Sequence, residues 1–422
     1  MYNDRNKMLV RIVLQEKDVN EQTIFDTINR AGTRLSTADI IKNNIFKGFL
    51  DSCEGDQEKI DSVNRMYDEK WDRIFYYVEK ENEWDKKRQF GNVSRSNLEF
   101  LLYCVACIKW ATADTSDFFS KLETVFAKST ADYKFDDYEK LISDIHDYAQ
   151  IYSKDITSLS AIMNDKSKRE REYFFYKDGV KRLLLTLEIF KVQMFYPFVL
   201  KIIKEFREDL NNPSILEQCA KLESFVIRRR IIGSSVSDYA SKCNLILNKG
   251  VDQLFTRIEG KEISISDTEV KSALVKMNDE AARMILYWIE LSRRNKNSDI
   301  EGLTYTYTLE HVMPQKWKEN WSVPDSQVDT RQAHINSLGN LTLLKNSLNI
   351  IVKNSDFKTK VEGIPAAGTR KAKEGYEGNI SLYITEEIVK QYKEGNVVWD
   401  ETTIEARKNK LAEEIIKLWP LY

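Results

Sequence analysis

The chain has 422 residues, with 64 Lys and Arg against 66 Asp and Glu, 15 Gly, 6 Pro and three histidines, His146, His311 and His334. So few helix breakers, with 31% charged beside 42% hydrophobic residues, predict a soluble, mainly α protein of two or three domains. They exclude collagen-like, low-complexity and disulfide-scaffold chains. The formal charge of −2 exerts no global pull on a polyanion, so any phosphate contact must come from a local basic patch.

Met1-Tyr-Asn-Asp-Arg-Asn-Lys7 lacks the apolar core of a signal peptide. Thr23-Ile-Phe-Asp-Thr-Ile-Asn-Arg-Ala-Gly32 reads as a short helix ending on a glycine that can turn left-handed. Ser36-Thr-Ala-Asp39 opens another helix, with Ser36 as its N-cap and Ile40, Ile41, Ile45, Phe46 and Phe49 at helical spacing. From about 51 to 300 the pattern is helical, charged on one face and aromatic on the other. Cys104 and Cys107 form a CxxC inside the apolar run Phe100–Ile108, with no second pair and no nearby histidine, and are expected to be buried helix packing. Five cysteines without metal-ligand repeats fit a reducing compartment. Pro197 should kink or end a helix within Gly179–Leu210, and Asn211-Asn-Pro-Ser214 marks a joint. Arg228-Arg-Arg230 cannot all face one way, which favours ion pairs or a solvated face over a phosphate clamp. The longest uncharged apolar stretches, such as Val192–Leu200, are nine residues, well short of the about 20 a membrane span needs. A cytoplasmic protein is the expectation.

Near residue 300 the period changes. Leu303-Thr-Tyr-Thr-Tyr-Thr-Leu309 alternates, predicting one strand with Leu303, Tyr305, Tyr307 and Leu309 on a single face. Leu341-Thr-Leu-Leu344, after the Gly339-Asn340 turn signal, predicts a second. A helix is expected from about Asn346 towards Lys360, with Asn346 suited to a cap. Between 341 and 380, Lys345, Lys353, Lys358, Lys360, Arg370, Lys371 and Lys373 outnumber Asp356, Glu362, Glu374 and Glu377. This local excess is either a phosphate-tracking surface or a solvated face.

The first strand ends in Glu310-His311-Val-Met-Pro314. A histidine after an acid, followed by a proline that breaks the ladder, is aimed into an open loop. With Asn340 29 residues on and Asn349 nine further, these residues resemble the HNH motif, in its His-Asn-Asn form, of the ββα-metal or His-Me finger nucleases. The chemistry suits the residue types. Phosphodiester hydrolysis needs a general base whose pKa lies near neutrality, and an unperturbed imidazole titrates at about 6.5. It also needs a cation, and Mg²⁺ (or Mn²⁺) takes oxygen ligands while keeping several waters. The resemblance implies His311 as base, Glu310 and Asn349 as metal ligands, and Asn340 as the residue that holds the loop or orients His311. Asn346 and Asn354 compete with Asn349 for the metal. His334 and His146 are expected to be structural. Lys345, Lys358 and Lys360 are the expected contacts to nucleic-acid phosphates.

The wider pattern is similar to one family. Leu309-Glu-His-Val-Met-Pro-Gln315 with Trp317 and Trp321, Leu338-Gly-Asn-Leu-Thr-Leu-Leu344, Leu348-Asn349 with Asn354, Phe357 and Lys358, and the closing Trp399…Ile404-Glu-Ala-Arg407…Leu418-Trp-Pro420 resemble the C-terminal nuclease domain of GmrSD-type restriction enzymes. Those are modification-dependent (type IV) bacterial defence endonucleases. Phe25-Asp-Thr-Ile-Asn-Arg-Ala-Gly32…Leu35-Ser…Asp39-Ile-Ile-Lys42 resembles the tail of their ParB/sulfiredoxin-like nucleotide-binding domain, and Leu222-Glu-Ser-Phe…Arg228-Arg-Arg-Ile-Ile-Gly233 their connecting region. The Asp-Gly-Gln-Gln-Arg motif of the nucleotide pocket is absent. The expected organisation is a sensor-domain remnant at 1–50, a helical region at 51–300 and an α+β nuclease domain at 301–422. No nucleotide is expected for this chain alone. The implied partner is DNA, modified and foreign, with a separate sensor chain or domain. The competing expectations are a helical scaffold whose nuclease domain is silent without that sensor, and a ribonuclease.

Overall fold

In the computed structural model, which describes residues 35–76, 83–90, 93–110, 118, 120–255, 265–294, 298–367, 371–379, 381–395 and 398–422, the first helix runs Thr37–Asp51. It starts where the sequence places it, because Ser36 and Asp39 close a reciprocal capping box. Its inward face buries Ile41, Ile45, Phe46 and Phe49, each side chain contributing roughly 1.5–3 kcal/mol on full burial. The helix expected at Thr23–Gly32 lies outside the described residues.

The described chain is mainly helical. The helices Thr37–Asp51, Asn97–Trp110, Phe135–Ile151, Gly179–Ile189, Tyr196–Glu205, Pro213–Ile232 and Asp279–Arg293 share one apolar core. Asn97–Trp110 is buried on almost every side and carries Cys104 and Cys107 inside. Burial raises both thiols, that of Cys107 to about 12, so the CxxC packs as expected and is poorly suited to thiolate chemistry. Contrary to expectation, Pro197 does not end the helix before it: that helix already stops at Ile189, and Pro197 stands in the first turn of the next, where its missing N–H costs nothing, while Asn212 caps the helix beginning at Pro213.

The three arginines resolve into ion pairs. Arg228 is fully buried, meeting Asp267 at 2.6 Å; Arg229 meets Asp238 and Arg230 meets Glu280, each at 2.8 Å. The connecting segment also holds the C-terminus. Trp419 Nε1 donates to Glu223, Ser224 Oγ donates to the Pro420 carbonyl, and Arg228 Nε donates to the Trp419 carbonyl. Two segments read separately along the sequence are thus one packed unit.

The strands, all in antiparallel pairs, are short. β1 (Lys87–Phe90) pairs with β2 (Val93–Ser96), β3 (Tyr173–Phe174) with β4 (Leu303–Thr304), β5 (Thr308–His311) with β6 (Leu341–Leu344), and β7 (Gly363–Ile364) with β8 (Lys373–Glu374). The single strand expected over 303–309 is therefore two strands in different sheets. A turn at Tyr305–Thr306 separates them, with Tyr305 buried against the Tyr287 ring at 4.9 Å. In β5 the buried side chain is Glu310, not Leu309. Alternation located the β-forming text but not the break, which the tyrosine packing decides.

Candidate functional site

β5 and β6 pair in the register Thr308↔Leu344, Leu309↔Leu343, Glu310↔Thr342, His311↔Leu341. His311 is the last residue of its strand, and it stands opposite the first residue after Asn340. The Leu338–Asn340 turn that precedes β6 is a 3₁₀ turn clamped by the C-terminal helix Glu401–Leu418. A Cβ on Gly339 would overlap the Ile404 carbonyl, so the helix can approach this closely only over a glycine. Arg407 Nη1 donates to the carbonyls of Gly339 (2.8 Å) and Leu341 (2.7 Å), on either side of Asn340.

Asn340 is fully buried and makes four hydrogen bonds. Its oxygen accepts from Met313 N (2.8 Å) and Trp399 Nε1 (3.0 Å); its nitrogen donates to the carbonyls of Met313 (2.8 Å) and Ile335 (2.9 Å). All of them fix the loop after His311, and none reaches the imidazole. The His311 ring lies instead 3.3 Å from Asn336 Oδ1 and 3.4 Å from Gln315 Nε2. Burial pushes its pKa below the ordinary 6.5, against the pull of Asp279 and of the Asn336 hydrogen bond; Lys360 adds to the drop. A half-buried, neutral imidazole at a strand end can accept a proton.

The helix after β6 spans Asn346–Val352, and a separate one runs Phe357–Glu362. The continuous helix expected towards Lys360 is broken at Lys353, whose φ is +35°. Asn346 is the first helical residue and makes no cap; Lys345 occupies the cap position without a side-chain bond. Asn349 reaches back to β5, its Nδ2 donating to the Leu309 carbonyl (2.9 Å) and Thr308 Oγ1 (3.2 Å). That leaves its carboxamide oxygen as an acceptor.

Lys360 does not stand on the surface expected of a phosphate contact. It is fully buried, its ammonium 2.5 Å from Glu310 Oε1 and 2.8 Å from the His311 carbonyl. Tyr376 donates to the same Glu310 oxygen at 2.9 Å. Burial drives Glu310 up and Lys360 down, while their mutual attraction opposes both shifts. The physical reason for the misreading is helical phase: on Phe357–Glu362 the buried residues are Phe357, Lys360 and Val361. Lys358, two residues earlier and so on the opposite side of the helix, is exposed at 72% and 3.9 Å from Glu362; Lys345 is also exposed. Arg370 lies outside the described residues.

Two donor types of a hard cation, a carboxylate and a carboxamide oxygen, thus sit on β5 and on the helix packed against it. Their chemistry fits a divalent ion such as Mg²⁺ that keeps most of its water shell, although Lys360 already neutralises the carboxylate. Among the described residues no group of three His, Cys, Asp or Glu could hold a metal, so any such shell would be sparse. The remaining histidines are elsewhere: His334 Nδ1 lies 2.7 Å from the Thr330 carbonyl, and His146 Nε2 lies 2.9 Å from Gln150.

The loop between the strands is held by its own small core, including Val312, Met313, Trp317, Trp321, Leu348 and Phe357. Arg331 pairs with Glu401 at 2.7 Å and donates to the Trp321 carbonyl. Residues 263–414 match the family model of the GmrSD restriction endonucleases, C-terminal domain. The match takes in the helix Asp279–Arg293, β5, β6, Asn349 and Arg407. No curated protein matches the chain. The GmrSD match supports a restriction-endonuclease role, hence a hydrolase acting on DNA. No helix among the described residues is long and apolar enough to cross a membrane.

The sequence missed Tyr376, Asn336 and Arg407 as parts of this arrangement and gave Lys360 a surface role in place of its buried one. Of these, Arg407 lay inside a segment carrying the family resemblance. Lys360 and Tyr376 meet Glu310 across 50 and 66 residues of chain, and no local pattern announces them.

Proposed function

We propose that this chain is the nuclease part of a modification-dependent restriction system, a divalent-metal-dependent DNA endonuclease with a ββα-metal, HNH-type site. What supports this reading is the GmrSD match together with the convergence of Glu310, His311, Asn340 and Asn349 on one strand pair and its following helix. His311 takes the proton of the attacking water. Glu310 and Asn349 hold Mg²⁺ or Mn²⁺, which when bound supplies charge neutralisation at the phosphate. Asn340 braces the loop behind the imidazole. The exposed Lys345 and Lys358 offer cations to the DNA backbone, each phosphate contact being salt-dependent.

In this reading residues 1–50 are sensor-type sequence, 51–300 a helical region and 301–422 the nuclease. The setting is cytoplasmic, the substrate modified foreign DNA, and a sensor chain or domain a partner. The test is plasmid nicking with Mg²⁺ by the native chain and by His311→Ala, with an RNA of similar length digested alongside. Loss of roughly 10²-fold or more in rate is expected for the variant; equal cutting by both would sink the assignment.

One observation favours a second reading, a nuclease silent until a sensor docks: the Glu310 carboxylate is already neutralised by Lys360. Cutting that appears only on adding the sensor component would select it.

A further inference from the structure

We infer that Asn336, not Asn340, sets the tautomer of His311, placing the imidazole proton on Nε2 and leaving Nδ1 as the proton-accepting nitrogen. The catalytic meaning of this rests on the nuclease reading; the tautomer itself rests on geometry alone. His311 Nε2 is 3.3 Å from Asn336 Oδ1. A carboxamide oxygen can only accept, so this contact is a hydrogen bond only when Nε2 carries the proton. In the neutral ring the lone pair then falls on Nδ1. The other neighbour, Gln315 Nε2 at 3.4 Å, presents a donor and would demand the opposite tautomer.

The surroundings decide between the two. Gln315 is exposed, and its longer side chain can rotate away. Asn336 is half-buried and its backbone is pinned to the helical part of the molecule. Its carbonyl accepts from Met277 N at 2.9 Å, and two residues on, Leu338 N donates to the Leu274 carbonyl at 2.9 Å. Asn278, next to Met277, caps the helix Asp279–Arg293. Asn336 therefore holds the imidazole from outside the strand pair, while Asn340 has no donor or acceptor left for it. Asn336 is a positioning residue and touches no reacting atom.

Three histidines make the test direct. The full chain, labelled with ¹⁵N-histidine and free of metal, gives three ring systems, assigned with His146→Gln and His334→Gln. At a pH well above the ordinary imidazole value, the His311 ring of the native chain should be in the Nε2–H form. Asn336→Asp, which keeps an acceptor, should retain that form, and Asn336→Ala should shift it towards Nδ1–H. Unchanged signals from the other two rings report an intact fold. An Nδ1–H ring in the native chain, or an unchanged ring in Asn336→Ala, overturns the inference. In plasmid nicking, Asn336→Ala should lower kcat about tenfold or more with little change in KM, and Asn336→Asp should restore it. An unaffected kcat, in a chain whose cutting does depend on His311, overturns the positioning role. Cutting that is independent of His311 fails the nuclease reading instead, and the tautomer result stands apart from it.

Discussion

The Lys360 ammonium lies 2.5 Å from the Glu310 carboxylate, with both side chains buried beneath β5. The pair joins the helix Phe357–Glu362 to the strand that carries His311, and its second bond, to the His311 carbonyl, holds the residue proposed as base at its backbone. Removing one partner leaves an uncompensated buried charge. Lys360→Met should therefore destabilise the protein by about 3–5 kcal/mol, and the double variant with Glu310→Gln should recover part of that loss. Urea unfolding of the four proteins measures the coupling; additive effects would mean that the pair is not coupled.

Asn340 makes the next expectation. Truncation to alanine strands Met313 N, the carbonyls of Met313 and Ile335, and Trp399 Nε1, for a loss of roughly 2–4 kcal/mol. Asn340→Asp keeps an acceptor for Met313 N and Trp399 but turns a carboxylate oxygen towards two carbonyls, and should be at least as damaging. Thermal unfolding compares the two; an aspartate variant as stable as the native chain would contradict the donor geometry.

Asn349 is half-buried and bonded mainly to strand backbone, so Asn349→Ala should lower stability by only about 1 kcal/mol while weakening Mn²⁺ binding by roughly tenfold or more. Calorimetric titration of the two proteins separates these effects. Chelation with EDTA should stop nicking, and added Mg²⁺ should restore it. Cutting that persists in EDTA would argue against a metal role.

Asp144 carries the pH prediction. Burial pushes its carboxyl up, but hydrogen bonds and charge from Lys109 (2.5 Å) and Lys204 (2.8 Å) outweigh this and leave it below the ordinary 3.8. A folded pKa below the unfolded one contributes stability that is fully present above the unfolded value and is lost as pH falls through the folded value. Asp144→Asn should thus lower stability at neutral pH and flatten the fall in stability below pH 3.8. Parallel unfolding curves for variant and native chain across that range would refute the assignment.

The sequence by itself determined the helical character, the Ser36 start, the joint before Pro213, the buried CxxC, β6 and the strand-end position of His311. All of these follow from local rules: caps, proline geometry and apolar period act over a few residues and are readable in order. The split of 303–309, the break at Lys353, the burial of Lys360 and the choice of Asn336 over Asn340 at the imidazole were decided only by tertiary structure. Three of these depend on a partner far along the chain: Tyr287 for Tyr305, Glu310 for Lys360, and Met277 for Asn336. A charged residue in a basic stretch reads as surface until the fold supplies a buried counter-charge, because the free energy of burying it is set by that counter-charge and not by its neighbours in sequence.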